Sequence, residues 1–196
     1  NAKGSAAVVW RLNTEGRHLI CANRLRPSYG WAQPAVLTPE GHRDAYSPTV
    51  AINATGHVIA LWTQLDAHGE HITVVAKHFG PGTGWSDTQR LDANTGGDAY
   101  APELVINAQG HAVAVWRHRR GALSDIEANH FIPGWGWAGH AQVSVKVSDM
   151  SYEPCLAMDD AGNVTVVWQQ FNGLCYQVCA SVFDLSARHA RPAVLP

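Results

Sequence analysis

Short apolar stretches alternate with polar positions along this chain, and turns rich in glycine and proline separate them. The clearest series is PTVAIN, HVIALWTQ, HITVVAKHF and WSDTQRL, at residues 48–53, 57–64, 71–79 and 85–91. Runs of this length between such turns are typical of β-strands rather than of helices. The turn at 54–56 ends in a glycine, which suits a hairpin. The series therefore predicts an antiparallel meander of four strands, which we call A to D.

The meander recurs along the chain. Three copies open with the motif Tyr-x-Pro, and a tryptophan in strand B recurs at steps of 52, 54 and 52 residues, at Trp10, Trp62, Trp116 and Trp168. A fixed period of this length indicates a repeat architecture. We predict a single all-β domain or fragment at 1–196, with repeats at 1–45 (truncated), 46–99, 100–151 and 152–196.

A β-propeller is the architecture that this repeat predicts. A four-stranded sheet cannot bury both faces alone, and stacking such sheets around an axis solves the problem; a β-sandwich or a β-solenoid is the alternative. The first copy begins at the turn between strands A and B, so its inner strand is missing. We therefore expect a chain cut from a larger ring, or half of an eight-bladed assembly completed by a second copy.

Charge and composition exclude several classes of partner. The formal net charge is −2 and only 15% of residues are charged, so we expect neither nucleic-acid nor anionic-lipid binding. No apolar run approaches the roughly 20 residues that cross a bilayer, so we expect no membrane insertion, and the first residues lack the layout of a signal peptide. We expect a soluble chain, either mature or excised. The four cysteines are Cys21, Cys155, Cys175 and Cys179. They have no zinc-site spacing, and we expect buried free thiols.

The pattern Tyr-x-Pro-x-Val-Ala-x-Asn-Ala-x-Gly-x-x-x-Ala-x-Trp resembles the sialidase-like or BNR-like propeller repeats of secreted and surface bacterial proteins. The resemblance covers the whole chain and implies an extracytoplasmic location. The Asp-box of true sialidases, Ser-x-Asp-x-Gly-x-x-Trp, is absent, and the corresponding turns read FGPGTGW and FIPGWGW. The layout is also similar to that of propeller lectins that bind sugars between blades.

Strand direction places the end of strand B and the start of strand A on one face of the propeller, which we call the top. Aromatic rings there would take the apolar face of a sugar, and amide, carboxylate and guanidinium groups would take its hydroxyls. The ligand-binding candidates on this face are Asp44, Tyr46, Trp62, Gln64, Asp98, Tyr100, Trp116, Arg117, His118, Tyr152, Glu153, Trp168 and Gln169. A loose third copy of the Asp-Ala-Tyr motif runs from Asp149 to Tyr152.

The alternative is that residues repeated in every copy are packing anchors between blades, with the aspartates accepting backbone N–H bonds in a turn. No motif for a nucleophile, a phosphate loop or a metal site is present, so we expect no catalytic residues, no cofactor and no metal. The leading hypothesis is a non-enzymatic module that binds a glycan or a protein. The alternatives are a glycoside hydrolase of sialidase-like type, with Arg11 as a further candidate, and a structural unit that completes a ring with another chain.

Overall fold

A computed structural model describes residues 1–41, 44–92, 96–144, 150–185 and 191–194. Within these residues the chain consists of strands and turns with no helix, and hence with none that spans a membrane. The strands form antiparallel groups connected in sequence order, which we call blades 1 to 4. The all-β class predicted from the repeat is confirmed.

The strands divide among the four blades as follows. Blade 1 contains β1 (Ala6–Thr14), β2 (Arg17–Arg26), β3 (Gly30–Trp31) and β4 (Ala35–Val36). Blade 2 contains β5 (Ala45–Ile52), β6 (Val58–Leu65), β7 (Ile72–Gly80), β8 (Gly84–Trp85) and β9 (Gln89–Arg90). Blade 3 contains β10 (Asp98–Ile106), β11 (Ala112–Arg120), β12 (Leu123–Ile132) and β13 (Gly136–Gln142). Blade 4 contains β14 (Met150–Met158), β15 (Asn163–Phe171), β16 (Tyr176–Asp184) and β17 (Arg191–Val194).

Strand pairing reproduces the predicted meander. Strands β5, β10 and β14 take position A, and each pairs with the strand B that follows it. Strand D is interrupted in blades 1 and 2, where two short strands pair with the same strand C. In blade 1, β1 takes position B and pairs only with β2 among the described strands. Blade 1 therefore lacks its inner strand, as the register of the repeats predicts.

The turn between strands A and B is fixed by one side chain. The carboxamide oxygen of Asn53 accepts hydrogen bonds from the backbone N–H groups of Thr55 and His57, at 3.0 Å each, and Gly56 takes a φ of 85°. Asn1 makes the same contact with the N–H of Ser5 at 2.9 Å. Asparagine favours such turns because its side chain bonds its own backbone. The chain therefore begins in the same turn that recurs in the later blades.

Apolar side chains fill the space between successive blades. Trp62 packs against Ile20 and Ala22 of blade 1, in a cluster that also contains Val9 and Val75. Blade 3 packs on blade 2, and blade 4 on blade 3, through equivalent clusters around Trp116 and Trp168. Side chains that alternate across a strand reach both neighbouring blades. The four blades thus share three interfaces of one kind.

The inner strands carry a bulge close to their top end. The pairing register of β5, β10 and β14 shifts just after the tyrosine of each Tyr-x-Pro motif. The residue after each tyrosine has a left-handed backbone, with φ of 48° at Ser47, 48° at Ala101 and 47° at Glu153. A bulge leaves one residue unpaired and re-aims the side chains around it. The repeated bulge therefore sets the direction of each tyrosine ring.

Candidate functional site

Three of the predicted residues meet at the top of blades 3 and 4. The guanidinium of Arg117 lies over the ring of Tyr100 at 5.3 Å and over the ring of Tyr152 at 4.9 Å, measured from Cζ to the ring centroids. We call these three residues the Tyr–Arg cluster. Strand B supplies the arginine, and the inner strands of its own and the next blade supply the tyrosines. A guanidinium at this distance from an aromatic face is attracted by the ring quadrupole.

A similar contact, with one tyrosine instead of two, lies between blades 1 and 2. The guanidinium of Arg11 lies 5.6 Å from the ring centroid of Tyr46. Arg11 and Arg117 occupy equivalent positions of strand B, whereas blades 2 and 4 have Thr63 and Gln169 there. Arginine therefore alternates with a neutral residue around the top of the propeller.

Aspartates tie the tyrosines to the preceding blade. The hydroxyl of Tyr100 donates to Asp98 at 3.2 Å, and the other carboxylate oxygen of Asp98 accepts the backbone N–H of Ile72 in blade 2 at 3.0 Å. Asp44 accepts from the hydroxyl of Tyr46 at 3.1 Å and lies 3.2 Å from the Nδ1 atom of His18 in blade 1. The two aspartates are therefore engaged in contacts between blades, which favours the anchoring role over direct ligand contact.

Methionine takes the place of the aspartate in blade 4. The hydroxyl of Tyr152 contacts the Sδ atom of Met150 at 3.0 Å, in the same relation that joins Tyr100 to Asp98. Asp149, which the sequence motif singled out, lies outside the described residues. The tyrosine next to Arg117 in blade 4 therefore has no carboxylate at the position used in blades 2 and 3.

This surface carries both guanidinium and carboxylate groups. Within the described residues, Arg11 and Arg117 form no ion pair, and the Nε atom of Arg117 is buried without a hydrogen-bond partner. Burial raises the pKa of Tyr100, and the adjacent Asp98 raises it further, so the tyrosine keeps its proton. Beside the cluster, Gln169 donates to the carboxylate of Glu153 at 3.1 Å. Both of these residues are exposed.

The tryptophans predicted to bind a ligand lie outside the Tyr–Arg cluster. Trp62, Trp116 and Trp168 are almost fully buried between blades. The indole N–H of Trp62 donates to the buried Gln64 at 2.9 Å, and that of Trp168 donates to Gln170 at 3.0 Å. These side chains have no access to solvent, so their placement favours the packing alternative.

His118 is buried in a charged network behind the site. Its Nδ1 atom lies 2.8 Å from Oε1 of Glu127 and its Nε2 atom 3.1 Å from the carbonyl oxygen of Gly96. Both partners are hydrogen-bond acceptors, so each ring nitrogen of His118 faces an acceptor. Arg120 also donates to Glu127 at 2.7 Å and to Asp125 at 2.9 Å. Because His118 takes the position of Gln64, the indole N–H of Trp116 is left without a partner.

Histidines also pair at the opposite end of the blades, a proximity that the sequence did not indicate. His111 Nδ1 lies 3.1 Å from His130 Nε2, and the rings of His57 and His78 stack with centroids 5.8 Å apart. Burial lowers the pKa of His78 and His130, and the neighbouring histidine of each pair lowers it further. Within the described part of the chain, no group of three metal-binding side chains occurs.

The cysteines divide between core and surface. The expectation of buried thiols is confirmed for Cys21 and Cys179 and is wrong for Cys155 and Cys175, which are exposed. Cys155 lies on the inner strand of blade 4, on the side that has no neighbouring blade in this chain. The equivalent Glu103 of blade 3 is exposed as well, so exposure at this position of the inner strand recurs between copies.

Glu103 is a further candidate that the sequence analysis passed over. It lies on inner strand β10, three residues after Tyr100. Its side chain is exposed, and partial desolvation by neighbouring atoms raises its pKa. The equivalent positions carry Thr49 and Cys155. Variation between otherwise similar copies was the available signal, because a residue that differs between repeats is not needed for the repeated packing.

Comparison with known proteins confirms the fold and leaves the family open. No protein-family model matches the chain, and no curated protein matches it. The resemblance to sialidase-like repeats therefore stays a prediction.

Solved structures do match. A protein of unknown function from Dyadobacter fermentans is similar over 96% of this chain and 64% of its own, with a TM-score of 0.61 and 11% identity. An α-L-arabinanase from Penicillium chrysogenum, solved with arabinobiose, is similar over 98% of this chain and 63% of its own, with a TM-score of 0.62 and 13% identity.

An endo-arabinase from Bacteroides thetaiotaomicron is similar over 97% of this chain and 76% of its own, with a TM-score of 0.52 and 12% identity. This chain thus spans less than two thirds of the length of the first two structures. At these identities the likeness concerns the fold alone, and the fold of this chain is that of β-propeller blades.

Proposed function

We propose that this protein is a non-enzymatic, extracytoplasmic binding module that recognises glycans with the Tyr–Arg cluster at the top of blades 3 and 4. The observation that carries the proposal is Arg117, a guanidinium held between two tyrosine rings with no acidic partner among the described residues. Aromatic faces contact the C–H face of a sugar, and a guanidinium with free donors binds its oxygen atoms.

The charge of the cluster narrows the class of glycan. Arg117 offers a positive charge that no acidic side chain among the described residues neutralises, and Arg11 adds a second guanidinium on the same face. Planar guanidinium groups bind carboxylates through two parallel hydrogen bonds. We therefore expect glycans with a carboxylate or a sulfate group to bind better than neutral ones. A glycan ligand would also be in keeping with two proteins of similar fold, the endo-arabinase and the α-L-arabinanase that was solved with arabinobiose.

An array of neutral, uronate-bearing, sialylated and sulfated glycans tests the proposal. We expect the acidic glycans to give signals that fall with added salt, because exposed charges are screened. Arg117→Ala is expected to weaken binding by roughly 10- to 100-fold, in keeping with a charge-assisted hydrogen bond.

The matched control is Arg26→Ala. Arg26 also lies over a tyrosine, with its Cζ atom 5.1 Å from the ring centroid of Tyr29, but it ends strand C at the opposite end of blade 1. Its replacement should leave binding unchanged. Equal losses in the two variants, or no glycan bound by the intact chain, would refute the proposal.

A glycoside hydrolase is the second candidate, and Glu103 is the observation in its favour. A carboxyl with a raised pKa on an inner strand suits a general acid, and such enzymes use a pair of carboxyl groups. The binding proposal predicts no release of nitrophenol from nitrophenyl glycosides. Turnover that is abolished in Glu103→Gln, with Glu103→Ala equally inactive, would favour the enzyme instead.

A further inference from the structure

The interface between blades has two complementary sides. The later blade contributes what we call its tryptophan face, which in blade 3 consists of Ala112, Ala114 and Trp116. The earlier blade contributes what we call its receiving face, which in blade 2 consists of Ile59, Leu61, Val74 and Ala76. Both faces are built from alternate residues of adjacent strands, so strand pairing identifies the equivalent residues in every blade.

Blade 3 shows that the equivalence holds. Its receiving face consists of Val113, Val115, Ile126 and Ala128, which pack in one cluster with Trp168 of blade 4. Arg117 pairs with Ile126, and Val115 pairs with Ala128, just as Thr63 pairs with Val74 and Leu61 with Ala76 in blade 2. The receiving face is therefore a recurring surface of defined residues.

Blade 4 carries a fourth receiving face. The same pairing rule identifies Thr165, Val167, Val178 and Ala180. No ionisable side chain is among these residues. Val178 is 55% exposed, and Val182, which extends the face along β16, is 50% exposed. The face is thus apolar and, within the described residues, has no blade packed against it.

Blade 1 carries the complementary surface at the other end of the chain. Its tryptophan face consists of Val8, Trp10 and Leu12, which alternate with Val9 of the blade 2 interface. Val8 is 40% exposed and Leu12 42% exposed. Trp10 is only half-buried, whereas the three equivalent tryptophans are almost fully buried. The fourth tryptophan of the series therefore lacks its receiving face.

Exposed large apolar side chains concentrate in these two terminal blades. Among the described residues, blade 2 has none and blade 3 has two, Leu123 and Trp135. All the others belong to blades 1 and 4: Val8, Leu12, Tyr29, Trp31, Val36, Leu174, Tyr176, Val178 and Val182. Large apolar patches of this kind mark interaction surfaces, and no charged residue is among the described residues that define either face.

We propose that a second copy of this chain docks head to tail, with the tryptophan face of its blade 1 on the receiving face of blade 4. The contact continues an interface that the chain already makes three times, with a tryptophan entering a pocket of aliphatic side chains. Because the two faces differ from each other, the contact is heterologous. An open pair leaves one free face on each copy, and further contacts of the same kind either close a ring or extend a filament. The proposed occupant therefore presents a tryptophan face of the kind that fills the three internal interfaces.

Light scattering over a concentration series tests the docking. We expect the intact chain to exceed the 21.2 kDa of a single copy, with a dimer or larger species at micromolar concentration. Val8→Glu should prevent docking by the tryptophan face of blade 1, which is the head, and Val178→Glu should prevent docking by the receiving face of blade 4, which is the tail. Each variant alone should remain at 21.2 kDa. A 1:1 mixture of the two variants should form a heterodimer, because one supplies an intact tail and the other an intact head.

The controls distinguish docking from misfolding and from non-specific association. Trp135→Glu changes a side chain that is 91% exposed in a turn of blade 3 and should leave the mass of the intact assembly unchanged. Circular dichroism establishes that each variant is folded, and Leu12→Glu and Val182→Glu replace any variant that is not. The proposal is overturned if the intact chain stays at 21.2 kDa at every concentration. The two faces would then be suited to contacts with blades of a longer chain. A mixture of folded variants that remains monomeric overturns the proposal as well.

Discussion

Replacing Trp116 with alanine is expected to lower the free energy of unfolding by about 3–5 kcal/mol, the usual cost of removing a large buried aromatic side chain. Trp116 has no exposed surface and packs against Ile59 and Leu61 of the preceding blade. The loss includes the cavity left between blades 2 and 3, because two sheets held by their own hydrogen bonds cannot collapse to fill it. Urea denaturation at pH 7 measures the change.

Trp135→Ala is the matched control. Trp135 is 91% exposed, and its removal should change the free energy of unfolding by less than about 0.5 kcal/mol. Similar losses for the two variants would show that Trp116 is not the packing anchor described above. A loss confined to Trp116→Ala would explain why a tryptophan recurs in strand B of every blade.

His118→Leu is expected to cost about 3–5 kcal/mol, because it removes one partner of a buried ion pair. Glu127 would keep Arg120 but lose its 2.8 Å contact with the imidazole ring, and Gly96 would lose the only side-chain donor that contacts it among the described residues. The double variant His118→Gln with Glu127→Val copies the Gln64 and Val75 of blade 2. It should recover much of the loss, since glutamine accepts the indole N–H of Trp116.

The pH dependence of stability provides a second readout of this network. Burial alone would raise the pKa of Glu127, but the hydrogen bond and charge of His118, together with Arg120, hold the pKa below its ordinary value. The stabilisation is therefore complete above the unfolded-state pKa of about 4.5 and is lost as the pH falls through the folded-state value. The double variant should show a shallower decline below pH 4.5 than the intact chain. An identical acid profile for the two proteins would contradict the assignment.

The repeat register could be read from the sequence because it depends on local chemistry. Asparagine and glycine fix the turn between strands A and B, and the spacing of Trp10, Trp62, Trp116 and Trp168 fixes the length of each copy. These signals do not depend on how the blades are arranged around the axis. The all-β class, the strand order and the missing inner strand of blade 1 all followed from them.

The face of the sheet on which each side chain lies could not be predicted from these sequence signals. Trp116 and Arg117 are adjacent on one strand and point to opposite faces, so one is buried in the interface while the other lies between two tyrosines. Proximity in sequence to a polar strand end made both candidates for ligand binding. Only the stacking direction of the blades distinguishes them.

A difference between copies reveals the role of a residue only when the structure also shows which side chain that residue contacts. His118 replaces a glutamine, but its role depends on Glu127, nine residues away on the next strand. Met150 takes the place that Asp44 and Asp98 hold in blades 2 and 3. The sequence motif had instead pointed to Asp149, one residue earlier. Pairing across strands, rather than residue type, decided both cases.

The resonance of the Arg117 side chain offers the most direct test of the central claim, that a ligand meets the Tyr–Arg cluster and not the buried tryptophans. An acidic glycan that binds in the array would be titrated into isotope-labelled protein while the Nε–H signals of arginine and tryptophan are recorded. We expect the Arg117 signal to shift and saturate, with the indole signals of Trp62 and Trp116 unmoved. Shifted indole signals with an unchanged Arg117 signal would contradict the account.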